Sequence, residues 1–219
     1  MNIAYEAVDR HATGPLREKT ALLWTGKSGE ERRLSYGELA GESNRFANVL
    51  ASLGVRKGDV VFSLLGRRPE LYVAALGTWK VGGVFSPLFS AFGPEPVRAR
   101  LERGQGEVLV TTPALYEKKV APVRASLPRL QHVLLVEAGE APEPGETFNR
   151  LIAAASPRFE IVRTTRDDPA LLHFTSGTTG MPRARCTCMA RWSCIASPDG
   201  WRSTCTPTTS SGAPPIRAG

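Results

Sequence analysis

The chain has 219 residues, 42% of them hydrophobic, which is enough to bury the core of one large domain or two small ones. It lacks the run of about eighteen apolar residues that a membrane span requires, and Glu6 and Asp9 interrupt the place of a secretory signal, so we expect a cytoplasmic protein. The net charge of +7 does not predict nucleic-acid binding, because residues 183–219 hold five arginines against one acidic residue, Asp199.

Helix and strand patterns alternate along the first 183 residues. In order they predict a helix at 1–12, a β-hairpin at 22–34, a helix from the Ser35/Glu38 capping box to about 53, a strand at 60–65, a helix at 69–81, a strand at 83–88, a helix at 95–103, a strand at 107–111, a helix at 114–127, a strand at 132–136, an exposed loop at 137–146, a helix at 148–155 and a strand at 170–174. The order predicts an α/β fold with a doubly wound, mostly parallel sheet flanked by helices, which binds ligands beyond the carboxyl ends of its strands.

The segment FTSGTTGMPR, from Phe174 to Arg183, follows the last of these strands. Its glycines let the backbone approach a ligand closely, successive N–H groups form a concavity for an anion, and its hydroxyls add donors. Arg183 adds a fixed positive charge. The segment is not a Walker A loop, because Met181, Pro182 and Arg183 follow its last glycine. From the residues alone, a phosphate-binding loop and a Gly/Ser/Thr linker remain about equally open.

The same segment resembles the signature loop of the adenylate-forming enzymes, the superfamily of acyl-CoA synthetases, luciferases and peptide-synthetase adenylation domains, whose pattern is Thr-Ser-Gly-Thr-Thr-Gly-x-Pro-Lys-Gly. Arg183 stands where the family usually has Lys, and Ala184 where it has Gly. The resemblance implies that the loop holds the β- and γ-phosphates of ATP while a carboxylate attacks the α-phosphate. The ATP phosphate-binding residues that it implies are Thr175, Ser176, Gly177, Thr178, Thr179, Gly180 and Arg183, with no catalytic residue and no metal ligand.

The resemblance extends from residue 1 to about residue 183. The stretches SYGELAGESNRFANVLASLGVRKGDVV and RRPELYVAALGTWKVGGVFSPLFSAF resemble the N-terminal third of acyl-CoA synthetases, while NIAYEAVDRHA and PLFSAF are closer to the AMP-forming acetyl-CoA synthetases. This implies an incomplete N-terminal part of the large adenylation domain. By family, the activity implied is acetate–CoA ligation with ATP, Mg²⁺ and CoA, through acetyl-AMP.

The partners that the resemblance implies are small molecules: ATP, acetate or another short carboxylate, and CoA, with no nucleic acid and no membrane. Another acyl-CoA or aryl-CoA ligase remains an alternative, and so does a non-catalytic fragment that retains phosphate binding. The family needs a downstream glutamate for magnesium, adenine and acyl pockets, and a C-terminal domain that carries the adenylation lysine. None of these fits within 219 residues, so we expect this chain to be inactive by itself.

Other candidate residues give weaker signals. His173 alternates within an apolar strand and is expected to be packed, while His11 and His132 have no partner in sequence. Ser176 lacks the G-x-S-x-G spacing of a nucleophile elbow. The pairs 67–68 and 118–119 and the charged helix face at 98–103 are expected to be solvated. The cysteines lack paired C-x2-4-C spacing, which disfavours zinc; they are Cys186, Cys188, Cys194 and Cys205.

The character of the sequence changes after Arg183. Helical and strand periodicity end there, and we expect residues 1–183 to form a partial AMP-binding domain and residues 184–219 to form an aberrant, disordered tail. Our hypothesis is a reading-frame shift. Back-translated with GC-rich codons and read from the third nucleotide of the Ala184 codon, the tail gives Ala-Val-His-Val-His-Gly-Ala-Val-Val-Met-His, which resembles the continuation of an acetyl-CoA synthetase.

Overall fold

The computed structural model describes residues 1–136, 146–175 and 183–189. A two-stranded antiparallel hairpin, β1 (Thr20–Thr25) and β2 (Glu31–Ser35), precedes a seven-stranded sheet with the order β7-β6-β5-β3-β4-β8-β9. The strands of the large sheet are β3 (Val60–Leu64), β4 (Val84–Leu88), β5 (Val108–Thr111), β6 (His132–Leu135), β7 (Glu146–Thr147), β8 (Pro169–Thr175) and β9 (Arg183–Cys188). Neighbouring strands are parallel except for β8 and β9, which are antiparallel, so the predicted mostly parallel α/β sheet is confirmed.

Helices cover both faces of this sheet. They are a π turn (Tyr5–Asp9) continued by α1 (Arg10–Ala12), then α2 (Tyr36–Ser52), α3 (Pro69–Lys80), α4 (Pro94–Gly104), α5 (Pro113–Lys119), a 3-10 helix (Ala121–Ser126) and α6 (Phe148–Ala154). The predicted capping box opens α2: Glu38 N donates to Ser35 Oγ at 3.2 Å, and Ser35 N donates to Glu38 Oε2 at 2.7 Å. Gly54, at φ +84°, follows the end of that helix as predicted.

The alternation of side chains along the strands divides the core into two layers. Val61 of β3 faces the layer built by the N-terminal helical turns, α2, α3 and α6, in which Phe46 and Leu50 are fully buried. Phe62, the next residue of β3, faces the layer built by α4 and α5. Because strands that are buried on both faces need apolar residues at nearly every position, the near-continuous apolar runs of the sequence correspond to this arrangement.

The predicted helix at 114–127 is wrong in its second half. The α-helix ends at Lys119, and residues Ala121–Ser126 form a 3-10 helix instead. Pro122 explains the break, because proline has no N–H to continue the α-helical ladder and its ring collides with the preceding turn. Most of the predicted loop at 137–146 lies outside the described residues, and its last residue, Glu146, begins β7.

Regular structure also continues past Arg183, where strand periodicity was expected to end. Ala184 to Cys188 belong to β9, and Met189, the next residue, is fully buried. This short strand has no apolar pattern of its own; it forms because β8 offers it a main-chain edge. Residues 190–219 lie outside the described parts of the chain, so the boundary between domain and tail stays a prediction.

Three charged or polar side chains differ from the prediction in how far they are exposed to solvent. His173 is exposed, while the next residue of β8, Phe174, has its side chain on the opposite face of the strand and is buried. Arg100 is buried, with its guanidinium carbon 4.0 Å from the centre of the Phe92 ring. Lys119 is half-buried, because its ammonium group is bound by backbone carbonyls. Charge alternation on a helix face did not reveal these contacts, since each depends on a loop from elsewhere in the chain.

Candidate functional site

The predicted phosphate loop leaves and re-enters the sheet at one point. Thr175, the last residue of β8, lies opposite Arg183, the first residue of β9. The other five predicted phosphate contacts, Ser176 to Gly180, lie outside the described residues. Because β8 runs parallel to β4, and β4 to β3, the two ends of the loop lie at the carboxyl edge of the sheet. Doubly wound sheets bind their ligands beyond this edge.

The base of the β8–β9 hairpin is tied to the body of the domain through Asp168. Its carboxylate forms an ion pair with Lys57 at 2.6 Å, and its carbonyl accepts a hydrogen bond from Met189 N at 3.0 Å. Burial raises the pKa of Asp168, but hydrogen bonds from Lys57 and from the backbone N–H of Thr165 outweigh it and hold the pKa below its ordinary value. The carboxylate is therefore charged near neutral pH and fixes the hairpin at its base.

An aromatic loop, residues 89–92, follows β4 and therefore begins at the same edge of the sheet as the end of β8, the neighbour of β4. Phe89 is 64% exposed and meets the ring of Phe92 edge-on, with 5.6 Å between the ring centres. The guanidinium of Arg100 covers Phe92, and its burial lowers the pKa of Arg100. Lys119 donates to the carbonyls of Ser90 and Phe92. Arg100 and Lys119 thus hold the loop against the domain, while the ring of Phe89 faces solvent.

A polar cleft of about 310 Å³ lies elsewhere, at the N-terminus of α2, where the N–H groups of the helix start are not free to bind an anion. Its lining residues are Arg17, Glu18, Thr20, Arg33, Ser35, Gly37 and Glu38. The N–H groups that a helix start would offer to an anion are already used: Glu38 N donates to Ser35 Oγ, and Gly37 N donates to the Arg17 carbonyl at 2.9 Å. The carboxylate of Glu38 also occupies the place of an anion.

Potential metal ligands lie apart from one another in the described residues. Within residues 1–136, 146–175 and 183–189, no three His, Cys, Asp or Glu side chains come together as a possible metal site. Cys186 and Cys188 both carry free thiols. Over the described parts of the chain, every helix falls short of the length and apolar character needed to cross a membrane.

Comparisons with known proteins identify the family. The family model described as AMP-binding enzyme matches residues 8–185. The chain belongs to this family. Its relatives include the acetyl-coenzyme A synthetase of Bacillus subtilis, 44% identical over 186 residues, which are 84% of this chain and 32% of that protein. They also include the 3-hydroxypropionyl-coenzyme A synthetase of Metallosphaera sedula, 30% identical over 84% of this chain and 30% of that protein.

Solved structures of AMP-binding enzymes support the fold. The acyl-CoA synthetase of Brucella canis aligns with a TM-score of 0.78 at 31% identity, over 90% of this chain and 34% of that one. An anthranilate CoA ligase in complex with anthranoyl-AMP aligns with a TM-score of 0.77 at 25% identity, over 86% of this chain and 35% of that one. The chain thus spans about a third of the length of the relatives that it matches. By family it is a ligase.

The AMP-binding match covers the residues that the sequence predicts for phosphate binding. It includes the whole predicted phosphate loop and ends at residue 185, inside β9. The sequence predicts this loop by its motif, but it did not reveal the contacts of Lys119 and Arg100 or the burial of Lys80 in α3. The signal for Lys80 was its place between Trp79 and Val81, where a charge interrupts an apolar helix end.

Proposed function

We propose that this chain supplies the polyphosphate-binding part of an AMP-forming acetate–CoA ligase. In the reaction proposed for the whole enzyme, acetate and ATP give acetyl-AMP and pyrophosphate, and the thiol of CoA then displaces AMP. The observation that carries the proposal is the family match across the loop sequence, combined with a hairpin that opens at the carboxyl edge of the sheet. The 44% identity with an acetyl-coenzyme A synthetase supports acetate as the acid.

The residues of the loop would act on the phosphates of ATP and not on the acid. Backbone N–H groups of Gly177 and Gly180 and the hydroxyls of Thr175, Ser176, Thr178 and Thr179 would donate hydrogen bonds to oxygens of the β- and γ-phosphates. Arg183 would take the place of the family's lysine and offset their negative charge. Because charge accumulates on pyrophosphate as it leaves, these donors would stabilise the transition state more than bound ATP.

The family reaction also uses Mg²⁺, and it needs binding sites for CoA and the acid. Among the described residues, no three His, Cys, Asp or Glu side chains come together, and we propose no Mg²⁺ ligand in this chain. The chain also spans only about a third of its relatives, so CoA and the acid would need residues that lie beyond the matched part. We therefore propose that the 219-residue polypeptide binds polyphosphate and does not complete the ligation.

Titration calorimetry with inorganic pyrophosphate tests the binding role. Arg183→Met should weaken pyrophosphate binding about tenfold or more, because a hydrogen bond to a charged group contributes about 1.5–3 kcal/mol. Arg185→Met is the matched control: it removes the same charge two residues further along the same strand, where the side chain is exposed. Equal losses in the two variants, or no binding by the unmodified chain, would contradict the proposal.

Acetate-dependent exchange of labelled pyrophosphate into ATP tests the second part of the proposal. The purified 219-residue chain should show no exchange with acetate, ATP and Mg²⁺. Measurable turnover would overturn the view that this polypeptide binds without catalysing. Turnover with an aryl acid in place of acetate would favour the alternative of an aryl-CoA ligase, the activity named for one of the solved relatives.

The proposed reading-frame shift is supported by the end of the family match at residue 185. It is decided by the gene. A nucleotide missing before the Ala184 codon should be found by sequencing, and its restoration should return the family's glycine after Arg183 and extend the similarity past residue 185. An intact gene whose codons do not give the family sequence in the shifted frame would end the hypothesis.

A further inference from the structure

The β8–β9 hairpin contains one extra residue on β8. Pro169 lies opposite Cys188 and Leu171 lies opposite Thr187, so Ala170 has no opposite residue on β9. Such a β-bulge changes the alignment of the two strands from that point onward. If the alignment at the base simply continued, Phe174 would lie opposite Arg183 instead of opposite Ala184. The bulge therefore decides which residues begin and end the loop at the top of the hairpin.

Trp79, in the last turn of α3, holds the bulged residue in place. Its indole Nε1 donates to the carbonyl of Ala170 at 2.7 Å, and both residues are buried. The same indole meets the ring of Phe85 edge-on, with 6.1 Å between the ring centres. Phe85 of β4 is in turn the residue that pairs with Leu171, directly after the bulge. Two elements outside the hairpin, α3 and β4, thus converge on the bulge.

Ser86 of β4 adds a second contact of the same kind. Its hydroxyl donates to the carbonyl of Leu172 at 2.9 Å, two residues beyond Ala170, and the serine is fully buried. Both contacts are hydrogen bonds from side chains to the backbone of β8, so they fix where each residue of β8 lies along the strand. Contacts between apolar side chains would not distinguish neighbouring alignments so sharply, because they have no direction.

We propose that Trp79 and Ser86 are positioning residues that set the register of the β8–β9 hairpin. They make Thr175 and Arg183 the flanks of the loop; without them the bulge is lost, pairing ends at Phe174 and the loop gains Thr175. The register itself follows from the described residues alone. Its consequence for ligand binding rests on the proposed function, because it assumes that the loop binds polyphosphate.

Disulfide trapping measures the register directly. With the four cysteines replaced by serine, the pair His173→Cys/Arg185→Cys lies directly opposite across the hairpin. Opposite residues of antiparallel strands have Cα atoms about 4.5–5.5 Å apart, within the range that a disulfide spans. The pair His173→Cys/Ala184→Cys becomes opposite only if the bulge is lost. The unmodified register should trap the first pair and not the second.

Trp79→Phe, introduced into both cysteine-pair variants, should favour the 173/184 disulfide. The yield of the 173/185 disulfide relative to the 173/184 disulfide should fall at least fivefold. Ser86→Ala should shift it in the same direction, and Ser86→Thr, which keeps the hydroxyl, should restore it. Ser63→Ala is the matched control: Ser63 is equally buried on the neighbouring strand β3, and its hydroxyl has no partner among the described residues. Trapping that stays unchanged in Trp79→Phe and in Ser86→Ala would overturn the proposal.

Ser35→Ala controls for loss of stability alone, since it weakens the α2 cap far from the hairpin and should leave the trapping ratio unchanged. Pyrophosphate titration then tests the consequence: Trp79→Phe should bind about tenfold more weakly. Unchanged affinity despite a shifted register would contradict the positioning role. If the unmodified chain does not bind pyrophosphate, the proposed function fails, while the trapping ratio still decides the register.

Discussion

A buried ion pair joins the N-terminal segment to α3, and its removal offers a sharp test of the fold. The side chain of Lys80 has no exposed surface. Its ammonium group donates to Asp9 Oδ1 at 2.8 Å, Asn44 Oδ1 at 2.7 Å and the carbonyl of Ala40 at 3.2 Å. Burial lowers the pKa of Lys80, and Asp9 opposes this effect. The second carboxylate oxygen of Asp9 is buried without a partner among the described residues.

Lys80→Met keeps the unbranched stem but removes the charge, which leaves the carboxylate of Asp9 buried and unpaired. Breaking a buried pair in this way costs about 3–5 kcal/mol. At about 2–4 °C per kcal/mol for a chain of this size, the melting temperature should fall by about 6–20 °C. The double variant Asp9→Asn/Lys80→Met removes both charges and should return to within about 1–2 kcal/mol of the unmodified chain.

Urea unfolding at neutral pH, followed by circular dichroism, measures these free energies of unfolding. Lys27→Met is the control, because Lys27 is exposed in the β1–β2 turn and its replacement should change the free energy of unfolding by less than about 0.5 kcal/mol. A loss of less than about 1 kcal/mol in the free energy of unfolding of Lys80→Met would refute a stabilising buried ion pair. Losses in Asp9→Asn and Lys80→Met that simply add in the double variant would equally refute the ion pair.

Three further changes test local features of the fold by the same urea measurement. Gly106→Ala should destabilise the chain by about 1–3 kcal/mol, because a Cβ there would lie 2.6 Å from the carbonyl oxygen of Val60, whereas Gly14→Ala, with nothing within 4 Å, should not. Ser35→Ala should cost about 1 kcal/mol through loss of the α2 cap, and an unchanged midpoint would contradict that role. The fold lowers the pKa of Asp168, so this carboxylate stabilises the fold. Its contribution to the free energy of unfolding is present above the ordinary pKa of about 3.9 and is lost as the pH falls through the folded-state pKa. The free energy of unfolding of Asp168→Asn should therefore depend less on pH below about 4. The same pH dependence as in the unmodified chain would count against the Lys57 ion pair.

The helices and most strands could be predicted because their signals are local. The Ser35/Glu38 capping box, the glycine at position 54 and the apolar run of β3 each specify one element through residues close together in the chain. The alternation of such elements was enough to predict a parallel sheet, because parallel strands require helical crossovers. The phosphate loop was predicted from its motif, which also lies within a few residues.

The remaining features depend on residues far apart in sequence. The aromatic loop is held by Lys119, 27 residues from Phe92, and the burial of Lys80 depends on Asp9, 71 residues away. The local signal for Lys80 is only its place in an apolar helix end, and Lys119 has no local pattern that distinguishes it from a solvated charge. The prediction of solvated charges failed at Lys119 and Arg100 for this reason. A charge is retained in the interior only where partners from other elements surround it.

The sequence by itself determined the family and the order of most helices and strands, and it predicts the polyphosphate loop, because each of these signals lies in contiguous residues. Only the tertiary structure decided that β9 pairs with β8, that Ala170 is bulged and that Trp79 and Ser86 bind the backbone of β8. The physical reason is that main-chain groups are the same at every residue. The partner that a strand finds, and the register in which it pairs, follow from the elements packed around it.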